Sequence, residues 1–270
     1  MSETTVKDHR RNRRSALLSI AGFDPTGGAG VIADAAVFRT LGFHPLTTLS
    51  SVAAQNSIQV EAVQPLTGEF IARELSLTAS EFSICAVKIG MLYSVEAVEV
   101  VAAFLQASRL PAVLDPVMKA TSGGDLADPE AIPLLESRLI PLCRIVTPNL
   151  AEAEYFLGHS VSSLEEAQQA VQELSWLWDT AVLLKGGHFS GDPVDVLAEG
   201  KEITTYPHPR IAEVMNLRGT GCALSAAVAA GFGLGFDNRG AVDFAVKFIQ
   251  ERIGDSYISA NNEMIGFLPI

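Results

Sequence analysis

Basic side chains are scarce in this 270-residue sequence, where 19 lysines and arginines face 31 aspartates and glutamates, giving a net charge of −12. A chain this acidic is not expected to bind nucleic acid or an anionic membrane surface. Five of the basic side chains lie within residues 1–14, which we expect to form a disordered basic tail. The body, residues 15–270, must therefore bind any phosphate mainly through backbone amides, a metal ion and few basic side chains.

Cysteine is also scarce, because the chain has three, Cys85, Cys143 and Cys222, and no CxxC pair. This spacing argues against a disulfide framework and against a zinc site built from cysteines. Proteins of the reducing cytoplasm have this character, so we expect a cytoplasmic protein.

Membrane-spanning and export segments are not expected either. The stretch from Gly219 to Phe236 carries no charge over 18 residues, but its five glycines, with Thr220 and Ser225, favour a buried helix flanked by loops. The apolar run that follows Arg13-Arg14 stops at Gly22, too early for a secretory signal. We therefore expect no association with a membrane.

Hydrophobic residues make up 48% of the chain, enough for a substantial core, and short apolar runs alternate with helical periodicities. Runs typical of strands buried on both faces are Ala16–Ile20, Ala112–Leu114, Ile145–Val146 and Ala181–Leu184. Helical stripes comprise Val95, Val98, Ala102 and Leu105, then Leu164, Ala167, Val171, Leu174 and Trp178, and finally Ala241, Ala245, Phe248 and Ile249. This alternation predicts one α/β domain over residues 15–270, a three-layer α/β/α sandwich with a mostly parallel sheet. Residues 194–198 and 203–206 predict an antiparallel hairpin at the sheet edge.

In such sheets ligands bind beyond the carboxyl ends of the strands, and the first such position is rich in glycine. Residues 22–30 read Gly-Phe-Asp-Pro-Thr-Gly-Gly-Ala-Gly and precede a helical pattern. Glycines here let a ligand approach backbone amides closely. The spacing matches neither the dinucleotide-binding fingerprint nor the Walker motif, so a tight turn without a ligand remains an alternative.

Polar residues also follow the next three predicted strands. Asp115 could hold a hydrated Mg²⁺ or orient a nucleotide, or it could simply begin a turn before proline. Asn149 and Glu152 would point the same way if a helix begins near Asn149, either to organise a metal or as a helix cap with an acidic first turn. Lys185 is well placed for a nucleotide phosphate, although Lys-Gly-Gly turns are common without one.

Residues 218–222, Arg-Gly-Thr-Gly-Cys, precede an apolar helical pattern and carry the most information. Gly219, Thr220 and Gly221 would present consecutive amides at a helix N-terminus, which forms an anion hole. Cys222 would lie on the first helical turn, where the helix dipole favours thiolate over thiol. The alternative is a small buried cysteine. An anion hole beside a group that can deprotonate an alcohol suits phosphoryl transfer.

Together these motifs give the chain a resemblance to the hydroxymethylpyrimidine/phosphomethylpyrimidine kinases of thiamin biosynthesis, in the ribokinase-like superfamily. Eight motifs occur in the family's order between about Ser15 and Ile253: residues 21–30, 33–34, 54–56, 88–92, 115–118, 147–150, 185–188 and 219–222. Cysteine ends the last motif where sugar kinases carry aspartate, which points to the vitamin-kinase branch.

The resemblance implies roles for individual residues, with ATP and Mg²⁺ as cofactors and a homodimer as the assembly. The residues implied to bind the pyrimidine are Gly22, Asp24, Gln55, Met91 and Val117, together with the base Cys222. Those implied to bind the nucleotide are Asp115, Asn149, Lys185 and Gly187, with Glu152 organising the metal and Gly219, Thr220 and Gly221 forming the anion hole.

The chain departs from the family's pattern at two places. Ile32 and Ala36 stand where the family usually has glutamine and lysine, and Leu217-Arg218 stand where it often has Thr-His. These departures leave ATP-dependent kinase chemistry intact but bear on the identity of the substrate and on the second phosphorylation.

Three other functions compete with a pyrimidine kinase. A pyridoxine or pyridoxal kinase also acts on a flat heteroaromatic alcohol, although the amide of Gln55 suits an aminopyrimidine edge better. A catalytically silent pyrimidine-binding protein would not need Asn149, Glu152, Lys185 and Cys222 together. A dinucleotide oxidoreductase would want an acidic residue about 20 positions after the glycine loop, where the chain has Ser50.

Overall fold

The computed structural model of the protein describes residues 15–120, 123–186, 193–208, 216–259 and 262–270. The predicted basic tail, Gly187 and His188 lie outside the described residues. The strands are β1 Ala16–Phe23, β2 His44–Gln55, β3 Val60–Pro65, β4 Ile84–Ile89, β5 Ala112–Leu114, β6 Ile145–Val146, β7 Ala181–Leu184, β8 Val194–Glu199, β9 Glu202–Pro207, β10 Asn216–Arg218, β11 Tyr257–Ser259 and β12 Asn262–Phe267.

The helices follow the strands in alternation, as predicted. They are α1 Gly30–Thr40, α2 Gly68–Glu81, α3 Val95–Ser108, α4 Ala131–Leu134, α5 Leu150–Leu157, α6 Leu164–Trp178, α7 Thr220–Gly233 and α8 Asn238–Ile253. Residues 135–142 continue α4 as a π turn and a 3₁₀ turn. The uncharged stretch that begins at Gly219 forms α7, and no helix in the described residues is both long enough and apolar enough to cross a membrane.

Nine strands form one sheet in the order β3-β2-β1-β4-β5-β6-β7-β8-β9. The pairs from β2 through β7 are parallel, whereas β3 pairs antiparallel with β2 and β8 pairs antiparallel with β7 and β9. The mostly parallel sheet and the edge hairpin β8–β9 confirm the predictions. The predicted bounds of β5, β6 and β7 are correct, and β1 extends three residues further than predicted.

Helices cover both faces of the sheet, which confirms the three-layer arrangement. Side chains that alternate along each strand face opposite layers. Leu18 therefore belongs to the core that includes residues of α2, α3 and α6, whereas Leu17 belongs to the core that includes residues of α1, α7 and α8. The predicted stripes of α3, α6 and α8 are the sides that face these two cores. The sheet is therefore buried on both faces, as its continuous apolar runs predict.

A second, three-stranded sheet in the order β10-β12-β11 was not predicted from the sequence. Its strand β10 pairs in parallel with the C-terminal strand β12 and leads directly into Gly219. The C-terminal segment thus supports the entry to α7.

Candidate active site

The strands β1, β4, β5, β6 and β7 end side by side, and the backbone just beyond each end is hydrogen-bonded to its neighbour. Four N–H···O bonds make these connections: Gly90 to Ile20 at 2.9 Å, Asp115 to Ile89 at 2.8 Å, Thr147 to Leu114 at 2.8 Å and Lys185 to Pro148 at 2.8 Å. The glycine-rich loop, Asp115, Asn149 and Lys185 therefore lie side by side at the carboxyl ends of the parallel strands, as the topology requires.

The N-terminus of α7 faces the carboxyl ends of these strands. Gly219 precedes the helix with φ 80° and ψ −4°, and no side chain caps the first amides. A Cβ atom on Gly219 would lie 1.9 Å from the carbonyl oxygen of Gly28, and one on Gly221 would lie 3.3 Å from Nζ of Lys185. The first turn of α7 is thus enclosed between the glycine-rich loop and Lys185, with its amides unoccupied by capping side chains. This arrangement suits an anion.

Lys185 and Asp115 form an ion pair with Nζ and Oδ1 2.5 Å apart, and Ser225 of α7 donates to Oδ2 of Asp115 at 3.3 Å. Burial opposes ionisation of Asp115, but the charges of Lys185 and Lys88 outweigh it and lower its pKa. Burial likewise disfavours the ammonium of Lys185, yet Asp115 and Glu152 raise its pKa. Both groups are therefore charged, and Asp115 holds Lys185 beside the α7 amides.

Asn149 and Glu152 form a capping box at the start of α5. Oδ1 of Asn149 accepts from the Glu152 amide at 2.9 Å, and Oε2 of Glu152 accepts from the Asn149 amide at 2.8 Å. Burial and the nearby charge of Asp115 raise the pKa of Glu152 to about 7, against the opposing effect of Lys185. The interpretation of Asn149 and Glu152 as a helix cap is therefore correct. The carboxyl group of Glu152 is nevertheless buried, and a cation would stabilise its charge.

No cluster of three or more acidic, histidine or cysteine side chains able to hold a metal occurs in the described parts of the chain. Mg²⁺ keeps several waters and binds through one or two carboxylates plus substrate phosphates. Glu152, with its raised pKa and its position near Lys185, fits that mode of binding, since phosphates would supply the remaining ligands.

A small cavity of about 50 Å³ brings together all five residues predicted to bind the pyrimidine. It is lined by Gly22, Asp24, Gln55, Met91, Val117 and Cys222, with Lys88 and neighbouring apolar residues. A Cβ atom on Gly22 would meet Sδ of Met91 at 2.8 Å, so the flexible thioether of Met91 packs directly against Gly22 in the cavity wall.

Cys222 lies on the first turn of α7, as predicted, but the prediction that this position favours the thiolate is wrong. Burial raises the pKa of its thiol to about 11, and the carboxylates of Asp115 and Asp34 act in the same direction. The ammonium groups of Lys88 and Lys185 oppose them without restoring an ordinary value. The thiol therefore predominates at neutral pH.

Asp24, predicted to bind substrate, lines the cavity but is already bound by protein groups. Its Oδ1 accepts from the Thr26 amide at 3.0 Å, and its Oδ2 lies 3.7 Å from Nη2 of Arg218. Arg218 is buried and also donates to the carbonyl oxygen of Asn56 at 3.1 Å. The arginine that stands where the family often has histidine therefore connects the end of β10 to the glycine-rich loop and to the segment after β2.

The sequence gives no role to Lys88, Asp34, Ser19 and Ser225, which the structure buries completely. Lys88 and Asp34 form an ion pair in which both side chains are 0% exposed, and Lys88 lines the cavity. One signal could have found the pair: a lysine inside the apolar strand β4 must have a buried partner, because an isolated buried charge is very costly.

Comparison with known proteins gives a consistent result. The profile of the family described as phosphomethylpyrimidine kinase matches residues 24–265. A hydroxymethylpyrimidine/phosphomethylpyrimidine kinase from Aquifex aeolicus is 37% identical over 241 residues, which cover 88% of this chain and 94% of the relative.

Comparison with solved structures extends the similarity to the fold. A phosphomethylpyrimidine kinase from Clostridium difficile 630 is similar with a TM-score of 0.77 and 33% identity, over 88% of this chain and 99% of the other. The ADP complex of a Bacillus subtilis pyridoxal kinase has a TM-score of 0.85 and 29% identity, over 95% and 97% of the two chains. The backbone alone is thus similar to both vitamin kinases, and the sequence is more similar to the pyrimidine kinases.

Proposed function

The chain belongs to the phosphomethylpyrimidine kinase family, and from this membership we propose which reaction it catalyses. It transfers the γ-phosphoryl group of ATP to the hydroxymethyl oxygen of 4-amino-5-hydroxymethyl-2-methylpyrimidine. A second transfer to the monophosphate gives the diphosphate, and both steps belong to thiamin biosynthesis. One observation carries the proposal: the cavity lined by Gln55 and Met91 also contains Cys222, on the helical turn whose amides adjoin Lys185.

The residues divide the chemistry between them. The thiolate of Cys222, formed by loss of its proton to solvent, accepts the proton of the substrate hydroxyl. As that proton leaves, the bond between the hydroxyl oxygen and the γ-phosphorus forms. The bond from that phosphorus to the bridging oxygen breaks, and its electron pair leaves with ADP. The amides of residues 219–221 and the ammonium of Lys185 stabilise the charge on the γ-phosphate oxygens.

Mg²⁺, when bound to the nucleotide, neutralises phosphate charge. The carboxylate of Glu152 would hold it, and Asn149 would orient that carboxylate through the capping box. Asp115 keeps Lys185 charged and oriented through their 2.5 Å ion pair, so it acts on the nucleotide through Lys185. The sparse cysteines support a cytoplasmic protein, and the family resemblance supports a homodimer. The acidic composition argues against a nucleic-acid partner.

Product analysis tests the reaction directly. The purified protein is incubated with ATP, Mg²⁺ and the aminopyrimidine, and in a separate reaction with ATP, Mg²⁺ and pyridoxal. The products are identified by mass. The proposal expects a pyrimidine monophosphate and then a diphosphate. Pyridoxal phosphate as the preferred product would favour the second candidate, for which the higher backbone similarity to a pyridoxal kinase is the specific observation. If neither product forms although the pyrimidine binds, the chain is a catalytically silent binding protein.

Gln55→Leu should selectively impair use of the aminopyrimidine. Gln55 ends β2 in the cavity wall, and no hydrogen bond engages its amide within the described residues. Its carbonyl can accept from the exocyclic amino group while its NH₂ donates to a ring nitrogen. Leucine leaves both ligand groups unpaired, so kcat/KM for the pyrimidine should fall by about 5- to 150-fold.

The measurement is the ratio of kcat/KM for the pyrimidine to that for pyridoxal, wild type against variant. KM for ATP should stay the same, because Lys185 and the α7 amides are untouched. If Gln55 only ties the strand end to a loop, the melting temperature falls, both specificity constants fall together and the ratio does not change.

Glu152→Gln should raise the Mg²⁺ concentration needed for half-maximal activity about tenfold, because a neutral amide is a poor ligand for Mg²⁺. The glutamine oxygen can still accept from the Asn149 amide, so the helix cap and the melting temperature should be largely preserved. The matched control is Glu154→Gln on the same helix, whose carboxylate also accepts from a backbone amide, that of Val161 at 2.8 Å. Identical magnesium titrations for both variants and wild type would leave Glu152 as a helix cap alone.

A further inference from the structure

A charged pair is buried between the sheet and α1. Lys88 lies in β4 on the face opposite Val87 and Ile89, and its Nζ is 2.8 Å from Oδ2 of Asp34. Both side chains are 0% exposed, and Ser19 of β1 donates to the same carboxylate oxygen at 2.6 Å. No part of the reaction described above uses these three residues.

Stability alone does not explain why the ion pair of Lys88 and Asp34 is buried. Within the described residues the other carboxylate oxygen of Asp34, Oδ1, is buried without a hydrogen-bond partner. Replacing a buried ion pair by packed apolar side chains is often neutral or stabilising, so a pair left incompletely satisfied calls for another reason.

The position of Lys88 supplies that reason. A Cβ atom on Gly90 would lie 2.7 Å from Nζ of Lys88, so the glycine two residues on leaves the space that the ammonium occupies. From there Lys88 lines the same small cavity as Cys222. The lysine and glycine of the Lys-Ile-Gly motif thus serve one purpose, which is to bring a buried cation to the cavity wall.

Four charged groups act on Cys222 from the elements packed around it. Lys88 from β4 and Lys185 after β7 favour its thiolate, while Asp115 after β5 and Asp34 from α1 oppose it. Among these charges that of Lys88 has the largest effect on Cys222. Lys185 is already held by Asp115 on the nucleotide side.

We propose that Lys88 is a positioning residue for phosphoryl transfer, whose ammonium, held by Asp34, stabilises the thiolate of Cys222 while that sulfur accepts the substrate proton. This inference rests on the proposed role of Cys222 as the base. No additional reactant is needed, because the sulfur gains the hydroxyl proton, the oxygen electron pair forms the new bond to phosphorus, and the bond from phosphorus to the bridging oxygen breaks to release ADP.

The test measures the thiolate directly, without turnover. Iodoacetamide alkylates thiolates, so the rate of modification of the peptide carrying Cys222 is followed by mass as a function of pH. In Lys88→Met the profile should move to higher pH, and the rate at pH about 8 should fall about tenfold or more, as expected for loss of a nearby opposite charge. The kcat profile should move in the same direction, with KM for ATP unchanged.

A second variant keeps the test decisive if the unpaired Asp34 prevents folding. Lys88→Met/Asp34→Asn removes both charges, and its alkylation profile should still move to higher pH, by less, because the opposing carboxylate is gone too. Ser19→Ala is the control: it loses a hydrogen bond of the same pair and some stability, yet its profile should match wild type. Folded variants with the wild-type profile would overturn the proposal. Absence of pyrimidine phosphate from wild type would instead overturn the proposed function, because the alkylation profile does not depend on turnover.

Discussion

In the Cys222→Ala variant, kcat should fall by about 10²- to 10⁴-fold while the Kd for ATP changes little. The alcohol proton must leave as the oxygen–phosphorus bond forms, and a positioned base contributes a factor of this size. Alanine keeps the backbone amides of residues 219–221 and the side chain of Lys185 in place, so the nucleotide keeps its contacts. The measurements are steady-state kinetics with the aminopyrimidine and ATP titration by calorimetry.

The raised pKa of Cys222 sharpens this expectation. With a pKa of about 11, only a small fraction of the sulfur is thiolate at neutral pH, so wild-type kcat should rise with pH above 7 as that fraction grows. Cys222→Ala should lose this rise together with most of its activity. The matched control is Cys85→Ala, which removes a half-buried thiol that does not line the cavity, and should keep wild-type kinetics. Near-normal kcat in Cys222→Ala would remove the cysteine from the mechanism.

Much of the fold follows from local patterns in the sequence. The strands β5, β6 and β7 are buried on both faces, so each is a short apolar run with polar neighbours, and its bounds can be predicted to the residue. The strands β10 to β12 have no such pattern, because they pair at the periphery, and β10 pairs with a segment about 50 residues away in sequence. Their existence depends on tertiary contacts that periodicity does not encode.

The site divides in the same way. The family resemblance implies that Gly22, Gln55, Met91 and Val117 meet Cys222, and one cavity at the carboxyl ends of the strands does bring these residues together. The ionisation of Cys222 cannot be predicted from the sequence, because it depends on burial and on four charges from four different parts of the fold. Helix position alone gives the wrong direction. Likewise, the buried partner of Lys88 could have been any acidic residue, and only the packing of α1 on the sheet identifies Asp34.

Gly219→Ala should lower kcat/KM by about 10²-fold or more and destabilise the protein. At φ 80° an alanine is strained by about 1–2 kcal/mol, and its Cβ would lie 1.9 Å from the carbonyl oxygen of Gly28. The glycine-rich loop or the start of α7 must therefore move, which displaces the amides that we propose bind the phosphate. Removal of one donor from such a charge-stabilising site costs about 10²- to 10³-fold in rate.

Gly235→Ala provides a matched control beyond the opposite end of the same helix. Gly235 has φ 88°, close to that of Gly219, but it is exposed and an added Cβ would meet nothing within 4 Å. This variant should show the backbone strain alone, a loss of about 1–2 kcal/mol in urea unfolding, with wild-type kcat/KM. The difference between the two variants therefore isolates the contact between Gly219 and Gly28. If Gly219→Ala were destabilised no more than Gly235→Ala and kept its kcat/KM, the α7 amides would not be the groups that stabilise the transferred phosphate.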